Sequence, residues 1–519
     1  MKKTSWILVL LSGVLSFFIH PIIIAGYQFP DMSLLVWIFL VPLILASQIN
    51  APLTVKKIFC IGLFFSAVGH YGLIYWLITA MRSFGGMNFF EAFGVLTAQV
   101  VLFGSIFAFF FTLAVWVRDK TKLPYFLIIP VFLTLRDFTL HFFPFGGYPW
   151  GIPPYSQGEW LSCFQWIDHT GPLGLSFLIY LVNALCADAI TCRLNAKKTT
   201  PALVAITAAI PVLMALSFFC SSLSLKHYHA NKKFIKNIRV ALIQANIPQD
   251  TKWNPKLAGR ILDKHVALTD RALDENAELV LWSETAYPYG LVENKMDSIK
   301  FLDRDSFKAP LLVGSIIKER KNNQTLIFNS AVHVGTDAAI KTHYKKMHLV
   351  PFGEYLPFAE YLDFMQTLTQ GVGFFSPGNE YIMFDILSTR LAPLICIEDI
   401  FTTYGRRFKN MGADVLVNFT NDAWYGASGM QLQHLAYTQM RALENRLPLI
   451  RATNNGYTAV IDATGKVTQT FPQYTEGYLL HDLVIEKGDS FYSRHGDRWL
   501  AFIVLSAAAL FLYGLWKHR

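Results

Sequence analysis

Long apolar runs occupy the first part of the chain, whereas residues 226–498 mix apolar and polar positions as a soluble domain does. A run of about 20 apolar residues is long enough to cross a bilayer as a helix. The pattern predicts about eight spanning helices, the first starting near Trp6 and the others at 33–48, 58–81, 92–117, 123–140, 172–192, 201–223 and 499–516. We therefore expect transmembrane helices 1–7 within 1–225, a soluble domain at 226–498, and transmembrane helix 8 with a short tail at 499–519.

Within residues 226–498, short runs rich in Val, Ile and Leu alternate with amphipathic stretches, which predicts strands and helices. Strands are expected at 237–246, 278–283, 310–316, 325–334, 391–397, 413–419, 449–453 and 457–462. Helices are expected at 256–276, 400–411 and 431–446. Helices early and late in the domain, with strands between them, indicate a layered α/β fold in which helices cover packed sheets.

The composition supports a membrane protein, because 53% of the residues are hydrophobic. The net charge of +9 could indicate nucleic-acid binding, but much of the excess lies in clusters at the ends of apolar segments, where basic residues orient membrane proteins. The six cysteines show no paired or metal-ligand spacing. We therefore expect no nucleic-acid partner, no disulfide framework, no metal site and no cofactor.

The basic clusters fall on alternate connections between the predicted spans. They are Lys2–Lys3, Lys56–Lys57, Arg118–Lys122, Arg193–Lys198 and Lys517–Arg519. The side that holds them should be the cytoplasm, which places both termini there and the 226–498 domain in the periplasm of a two-membrane cell. The connection 142–171 lies on the periplasmic side too, and its aromatic start, Phe142–Trp150, is either an interfacial anchor or part of a substrate site.

A candidate nucleophile ends an apolar strand at Leu391–Ile395, where Cys396 precedes two acidic residues. A buried core cysteine would fit the run alone, since free cysteine is a commonly buried residue type. Two other segments favour a catalytic role for Cys396 over a structural one. Glu284 follows the strand that contains Leu279 and could take the thiol proton, and a lysine of the Lys345–Lys346 pair could stabilise a thiolate and an oxyanion.

Three short motifs, Trp282-Ser-Glu284, Tyr344-Lys-Lys-Met-His348 and Cys396-Ile-Glu398, resemble the Glu, Lys and Cys motifs of the nitrilase (carbon–nitrogen hydrolase) superfamily, in the same chain order. The runs 348–357, 421–426 and 451–456, with the flanking spans, resemble the apolipoprotein N-acyltransferases within that superfamily. This resemblance covers nearly the whole chain.

The resemblance implies a nitrilase-like αββα four-layer sandwich beside the helical membrane domain. It assigns Cys396 as nucleophile, Glu284 as general base and Lys346 as oxyanion stabiliser. Supporting residues would be Glu354, Glu398, Trp253, Trp424 and Tyr425. The carboxylates of Glu354 and Glu398 would orient the lysine or an incoming amine, unless they are surface charges. The family usually has Tyr after its cysteine, so Ile397 is a departure, and Tyr425 could replace the missing phenol.

The implied reaction passes an acyl chain from a membrane phospholipid to Cys396 as a thioester, and then to the α-amino group of an apolipoprotein's S-diacylglyceryl-cysteine. The protein would act as a monomer in the inner membrane, with residues 355–375 either an interfacial arm that gates lipid entry or a helix packed on the core. Two alternatives remain. A membrane-tethered amidase would use the same residues with water as acceptor, and a transporter would need ionisable residues such as Arg136, Asp137 and Asp188 along a path.

Overall fold

The computed structural model describes residues 3–24, 26–49, 52–195, 199–298, 301–321, 324–357 and 375–517. Helices of the first part are α1 Lys3–Phe18, α2 Val41–Ile49, α3 Val55–Ile74, α4 Leu77–Ser83, α5 Phe89–Thr121, α6 Tyr125–Thr139, α7 Ile167–Thr170, α8 Pro172–Asn195 and α9 Pro201–Asn231. Helices thus occur in every apolar segment of the first part that the sequence singles out.

Within the described residues, five helices are long and apolar enough to cross a membrane: α3, α5, α8, α9 and Phe491–Trp516. The segments Lys3–Phe18 and Ser33–Ile49 are apolar but shorter, so the predicted total of eight crossings stays a prediction. Close contacts between small residues hold the bundle together: a Cβ on Gly62 of α3 would lie 3.0 Å from Cα of Ala108 on α5.

Two short strands, the first two below, pair in the first part of the chain, and the rest of the described chain forms two large sheets with helices outside them and an apolar helix at the end. The strands are β1 Ile23–Ile24, β2 Tyr27–Gln28, β3 Lys233–Gln244, β4 Leu279–Trp282, β5 Leu291–Val292, β6 Leu311–Lys321, β7 Gln324–Val334, β8 Ile340–Lys345, β9 Phe384–Ile386, β10 Thr389–Ile395, β11 Val415–Thr420, β12 Leu449–Thr453, β13 Ala459–Ile461, β14 Val467–Thr470 and β15 Gly477–Lys487. The helices are α10 Gln249–Lys252, α11 Ala258–Asp274, α12 Thr402–Asn410, α13 Met430–Asn445, α14 Phe491–His495 and α15 Leu500–Trp516.

One sheet has the order β15-β3-β4-β6-β7-β8, with β5 beside β6, and the other has the order β14-β13-β12-β11-β10-β9. Leu242 and Leu281 of the first sheet and Leu394, Val417 and Ile450 of the second share one buried core between the sheets. Helix α11 packs on the outer face of the first sheet, and α12 and α13 pack on the second. The predicted αββα fold class is therefore confirmed.

The central strands β3–β4–β6 and β10–β11–β12 run parallel within their sheets. Parallel strands end at a common edge, which is where α/β folds usually place their sites. Helix α9 continues to Asn231 and β3 starts at Lys233, so the predicted boundary at 225–226 falls inside a helix. Most of the predicted arm at 355–375 lies outside the described residues.

Candidate active site

Cys396 lies at this edge, in the turn that follows β10. It starts a 3₁₀ helix, Cys396–Ile400, with a φ of +51°, and its side chain is buried. A left-handed backbone is strained for a residue with a Cβ and persists where the surroundings enforce it. Here Asn418 Nδ2 donates to the carbonyls of Leu394 and Cys396, each at 3.3 Å. The neighbouring strand therefore holds the turn that presents the thiol.

Lys346 follows β8 and is 1% exposed. Its Nζ lies 2.9 Å from Oε1 and 2.8 Å from Oε2 of Glu354, and 3.7 Å from Oε1 of Glu284. Burial acts to lower the pKa of Lys346, but the negative charge of Glu354, that of Cys396 when its thiol is ionised, and that of Glu284 outweigh burial, so the pKa of Lys346 is raised. The lysine thus remains an ammonium beside the thiol.

The adjacent Lys345 points away from this cluster. Its Nζ binds Glu293 Oε2 at 2.8 Å and Glu319 Oε2 at 2.9 Å. Successive side chains of a strand point to opposite faces, which explains why only one lysine of the pair enters the site.

Glu284 follows β4 and is also buried. Its Oε1 accepts a hydrogen bond of 2.7 Å from Asn329 Nδ2, which also donates to Glu354 Oε1 at 3.0 Å. Lys252 Nζ donates to the main-chain oxygen of Glu284 at 2.8 Å. Burial raises the pKa of the Glu284 carboxyl, and Lys346 opposes that rise. The carboxyl is therefore more basic than an exposed glutamate.

Electrostatics indicate a neutral thiol in the resting site. Burial, followed by the charge of Glu284, raises the pKa of Cys396 well above its usual range, although Lys346 acts in the opposite direction. Moving the proton from Cys396 to Glu284 leaves the net charge of the cluster unchanged. This arrangement allows a thiolate to form only when a nearby carboxylate accepts its proton.

Glu398 is fully buried and binds main-chain groups rather than Lys346. Its Oε1 accepts from Met347 N at 2.7 Å and from the Tyr344 hydroxyl at 2.9 Å, and its Oε2 accepts from Ile395 N at 2.8 Å. It therefore ties the segment that carries Lys346 to the turn that carries Cys396. Glu354 contacts the lysine directly, so neither carboxylate is the surface charge that the sequence left open.

The three predicted aromatic residues occupy different positions. The Tyr425 ring lies 4.8 Å from Trp76 at the start of α4, and Trp424 lies 5.2 Å from Phe84 at its end. Trp253 ends α10 with 47% of its surface exposed, and the described hydrogen bonds and ring contacts do not link it to Cys396, Lys346 or Glu284. Ile397 is half-buried between the helical core and the sheet core.

A network of buried charged side chains lies behind Cys396, and it was not predicted from the sequence. Asp399 accepts from His434 Nε2 at 2.8 Å, and Asp422 lies 2.8 Å from Arg451 Nη2. Arg451 Nη1 also donates to Asn418 Oδ1 at 2.8 Å. Asp422 and Arg451 belong to the runs 421–426 and 451–456 that carried the resemblance, and Asp399 follows Glu398. The two runs could therefore have pointed to Asp422 and Arg451 as site residues. Asn329, Asn418 and Lys252 are isolated polar residues, and no sequence motif marks them.

Helix α13 connects this network to the membrane helices. Gln433 Oε1 accepts from Trp150 Nε1 at 2.9 Å and from Trp76 Nε1 at 3.3 Å, while its Nε2 donates to Pro21 O at 3.1 Å. The next residue, His434, points to the network behind Cys396. The aromatic start of the 142–171 connection therefore packs on the catalytic domain beside the site.

Comparisons with known proteins cover both parts of the chain. A model of the apolipoprotein N-acyltransferase N-terminal domain matches residues 7–185, and a carbon–nitrogen hydrolase model matches residues 239–491. Apolipoprotein N-acyltransferase of Geobacter metallireducens is 30% identical over 514 residues, 98% of this chain and 95% of that one. The enzyme of that name from Rickettsia bellii is 32% identical over 366 residues, 69% of this chain and 70% of that one. The Haemophilus ducreyi enzyme is 29% identical, with 98% of each chain covered.

Proposed function

The chain belongs to the apolipoprotein N-acyltransferase family, and from that premise we propose that it moves an acyl chain from a membrane phospholipid, through a thioester on Cys396, to the α-amino group of an apolipoprotein's S-diacylglyceryl-cysteine. The observation that carries this proposal is the cluster of Glu284, Lys346 and Glu354 around a buried thiol, next to aromatic side chains of the membrane helices. A membrane-anchored substrate can enter from that side.

In the first half-reaction, Glu284 takes the proton of the Cys396 thiol as sulfur attacks an ester carbonyl of the phospholipid. The Lys346 ammonium lies beside the thiol and stabilises the resulting oxyanion, while Glu354 holds Lys346 in place. The tetrahedral species then expels the alkoxide of the lysophospholipid, which receives the proton from Glu284. A Cys396 thioester remains.

In the second half-reaction, the α-amino group attacks the thioester carbonyl and Glu284 accepts a proton from it. The sulfur leaves and is reprotonated, which restores the thiol and releases the amide-linked product. Both substrates are anchored in lipid, so a covalent intermediate lets one pocket serve them in turn.

The alternating basic connections support an inner-membrane orientation with the catalytic domain in the periplasm and both termini in the cytoplasm. Labelling of single cysteines placed in 226–498, from each side of the membrane, tests this. Labelling from the cytoplasmic side alone would reverse the orientation.

The decisive experiment is mass spectrometry of the purified protein after incubation with phospholipid alone. We expect a hydroxylamine-sensitive acyl mass on Cys396, release of lysophospholipid, and transfer of the acyl group to a diacylglyceryl-cysteine peptide added later. Cys396→Ser should give none of these three results, because a hydroxyl is far less acidic than a thiol. Cys60, an exposed cysteine on α3, is the matched site that should stay unmodified.

Two outcomes would contradict the proposal. Near-normal transfer by Cys396→Ser would remove the nucleophile assignment. Rapid release of free fatty acid without any peptide product would favour the membrane-tethered hydrolase.

A further inference from the structure

A cavity of about 660 Å³ opens between α9 on one side and Trp166, α7 and α8 on the other. On α9 its wall comprises Leu213, Leu216, Cys220, Leu223 and His227, which are three or four positions apart and so share one helix face. Only 11% of the apolar window of α9 is buried, against 61% for α8. Most of the apolar part of α9 is therefore exposed, and α9 is anchored beside the cavity by the buried Ser217 and Ser224, which bind Trp166 and Asp168.

The cavity is apolar along most of its length and polar at the end nearer the catalytic domain. Leu213 and His227 are 14 positions apart, about 21 Å along a helix. One leaflet of a bilayer contributes about 15 Å of hydrocarbon. The cavity thus has the length of one leaflet together with its headgroup region.

The polar end carries two imidazole side chains. His169 and His227 are exposed there. His169 Nδ1 lies 2.5 Å from Asp168 Oδ1, and this hydrogen bond raises the pKa of His169. Asp168 is already paired with the guanidinium of Arg446 at 2.8 Å. A protonated His169 therefore adds a cation to a pair that is neutral by itself.

We propose that this cavity binds one glycerophospholipid of the surrounding bilayer, with its phosphate at His169 and His227 and an acyl chain along Leu213 to Leu223. The site is separate from the reaction centre: Arg446 closes the C-terminal end of α13, whereas His434, near its other end, contacts the Cys396 network. The volume lies within the range of ligand sites, roughly 300–1,000 Å³. The proposal does not depend on the proposed acyl transfer.

Cys220 offers a direct measurement, because it lines the cavity and is an exposed free thiol. Full-length protein in detergent would be alkylated with N-ethylmaleimide, once in the presence of a dioleoyl phospholipid and once in the presence of dioleoylglycerol. Peptide mass spectrometry would measure the alkylation rate of each cysteine. At a phospholipid concentration about ten times its Kd, Cys220 alkylation should slow about tenfold. Exposed Cys60 on α3 is the internal control and should not slow.

The phosphate contact is tested with His169→Ala combined with His227→Ala, which should abolish protection, while His481→Ala on β15 should keep it. Leu216→Trp fills the apolar end and should abolish protection even if the histidine variant folds poorly. Equal protection by dioleoylglycerol, equal protection of Cys60, or unchanged protection in the histidine variant would overturn the proposal. Protection by inorganic phosphate alone would overturn it in favour of a simple anion site.

Discussion

Buried charges occur in both the membrane helices and the catalytic domain, but their surroundings differ. On α6, Arg136 Nη1 lies 2.8 Å from Asp137 Oδ1, and Asp137 also accepts hydrogen bonds from Ser176 at 2.8 Å and from the Tyr180 hydroxyl. One cation therefore meets one anion, and the carboxylate has partners on both oxygens. This pair has the properties of a structural contact between helices.

Around Cys396 the charges are not paired one to one. Two carboxylates, Glu284 and Glu354, share the ammonium of Lys346 beside a titratable thiol, and Lys252 reaches Glu284 only at its main-chain oxygen. Burial alone does not distinguish the two clusters, since the side chains of both are buried. The adjacent thiol, and the one lysine shared between two carboxylates, distinguish the cluster around Cys396, because a proton can move there between neighbouring groups. A transporter would need ionisable residues along its path, and Arg136 and Asp137 are instead paired with each other. This pairing weakens the transporter alternative.

The largest expected effect is on Lys346. Lys346→Met should reduce acyl transfer by about 10²–10³-fold or more, the cost of losing an oxyanion donor, and it removes the ammonium that lies 3.7 Å from Glu284 Oε1 and 2.8 Å from Glu354 Oε2. Lys345→Met is the matched control, and initial rates with a fluorescent phospholipid donor measure both. A greater loss in Lys345→Met than in Lys346→Met would refute the assignment of the ammonium.

The next effect compares one arginine from each buried cluster. Removing one partner of a buried ion pair costs about 3–5 kcal/mol, so Arg451→Met and Arg136→Met should both lower thermal stability. Only Arg451→Met should also change the alkylation rate of Cys396, because Arg451 binds Asn418, which holds the nucleophile turn. Equal changes in Cys396 alkylation in the two variants would show that the network has no special connection to the thiol.

The sequence singled out three groups that the structure brings together, because each stands at the end of its own strand. Glu284, Lys346 and Cys396 follow β4, β8 and β10. Strands β4 and β10 belong to the parallel sets whose ends meet at one edge, whereas β8 pairs antiparallel with β7. The membrane helices and the layered α/β domain were predicted from the apolar runs, which differ in length between membrane helices and strands. The αββα sandwich itself was what the family resemblance implied.

The features that the sequence did not predict depend on contacts between residues far apart in the chain. Strand β15 pairs with β3 from Gly477↔Gln244 to Lys487↔Lys233, and its polar His481 and Asp482 weakened the apolar pattern. Asn329 is one polar residue inside β7, and its role follows only from the position of Glu284 and Glu354 across the site. Such contacts cannot be inferred from spacing along a single strand.

Glu398 should give the chain a measurable pH dependence of stability. Burial raises its pKa from 4.5 to about 7, with hydrogen bonds from Ile395 and Met347 acting in the opposite direction. Between these values the folded protein binds more protons at Glu398 than the unfolded chain does. Its stabilising contribution is therefore complete below about pH 4.5 and is lost as the pH rises to about 7.

In Glu398→Gln this contribution is absent. The stability difference between wild type and Glu398→Gln should therefore be more favourable to wild type at pH 5 than at pH 8, by an amount on the order of 3 kcal/mol. Thermal unfolding of both proteins at the two pH values measures it. A difference that moves the opposite way would mean that Glu398 is ionised and paired in the folded state.

The smallest effect should come from the hydroxyl of Tyr425, where the membrane helices meet the catalytic site. The Tyr425 ring packs against Trp76 with centroids 4.8 Å apart, and no hydrogen bond to its hydroxyl is found among the described residues. Tyr425→Phe keeps the ring contact and removes only the hydroxyl, so acyl transfer should fall by no more than about threefold, within the net value of an ordinary hydrogen bond. Tyr425→Ala, which also removes the ring, is the companion variant and should lose more. Since Ile397 occupies the position where the resemblance leads one to expect a tyrosine, a tenfold or greater loss in Tyr425→Phe, about 1.4 kcal/mol, would instead show that Tyr425 supplies the missing phenol to the reaction.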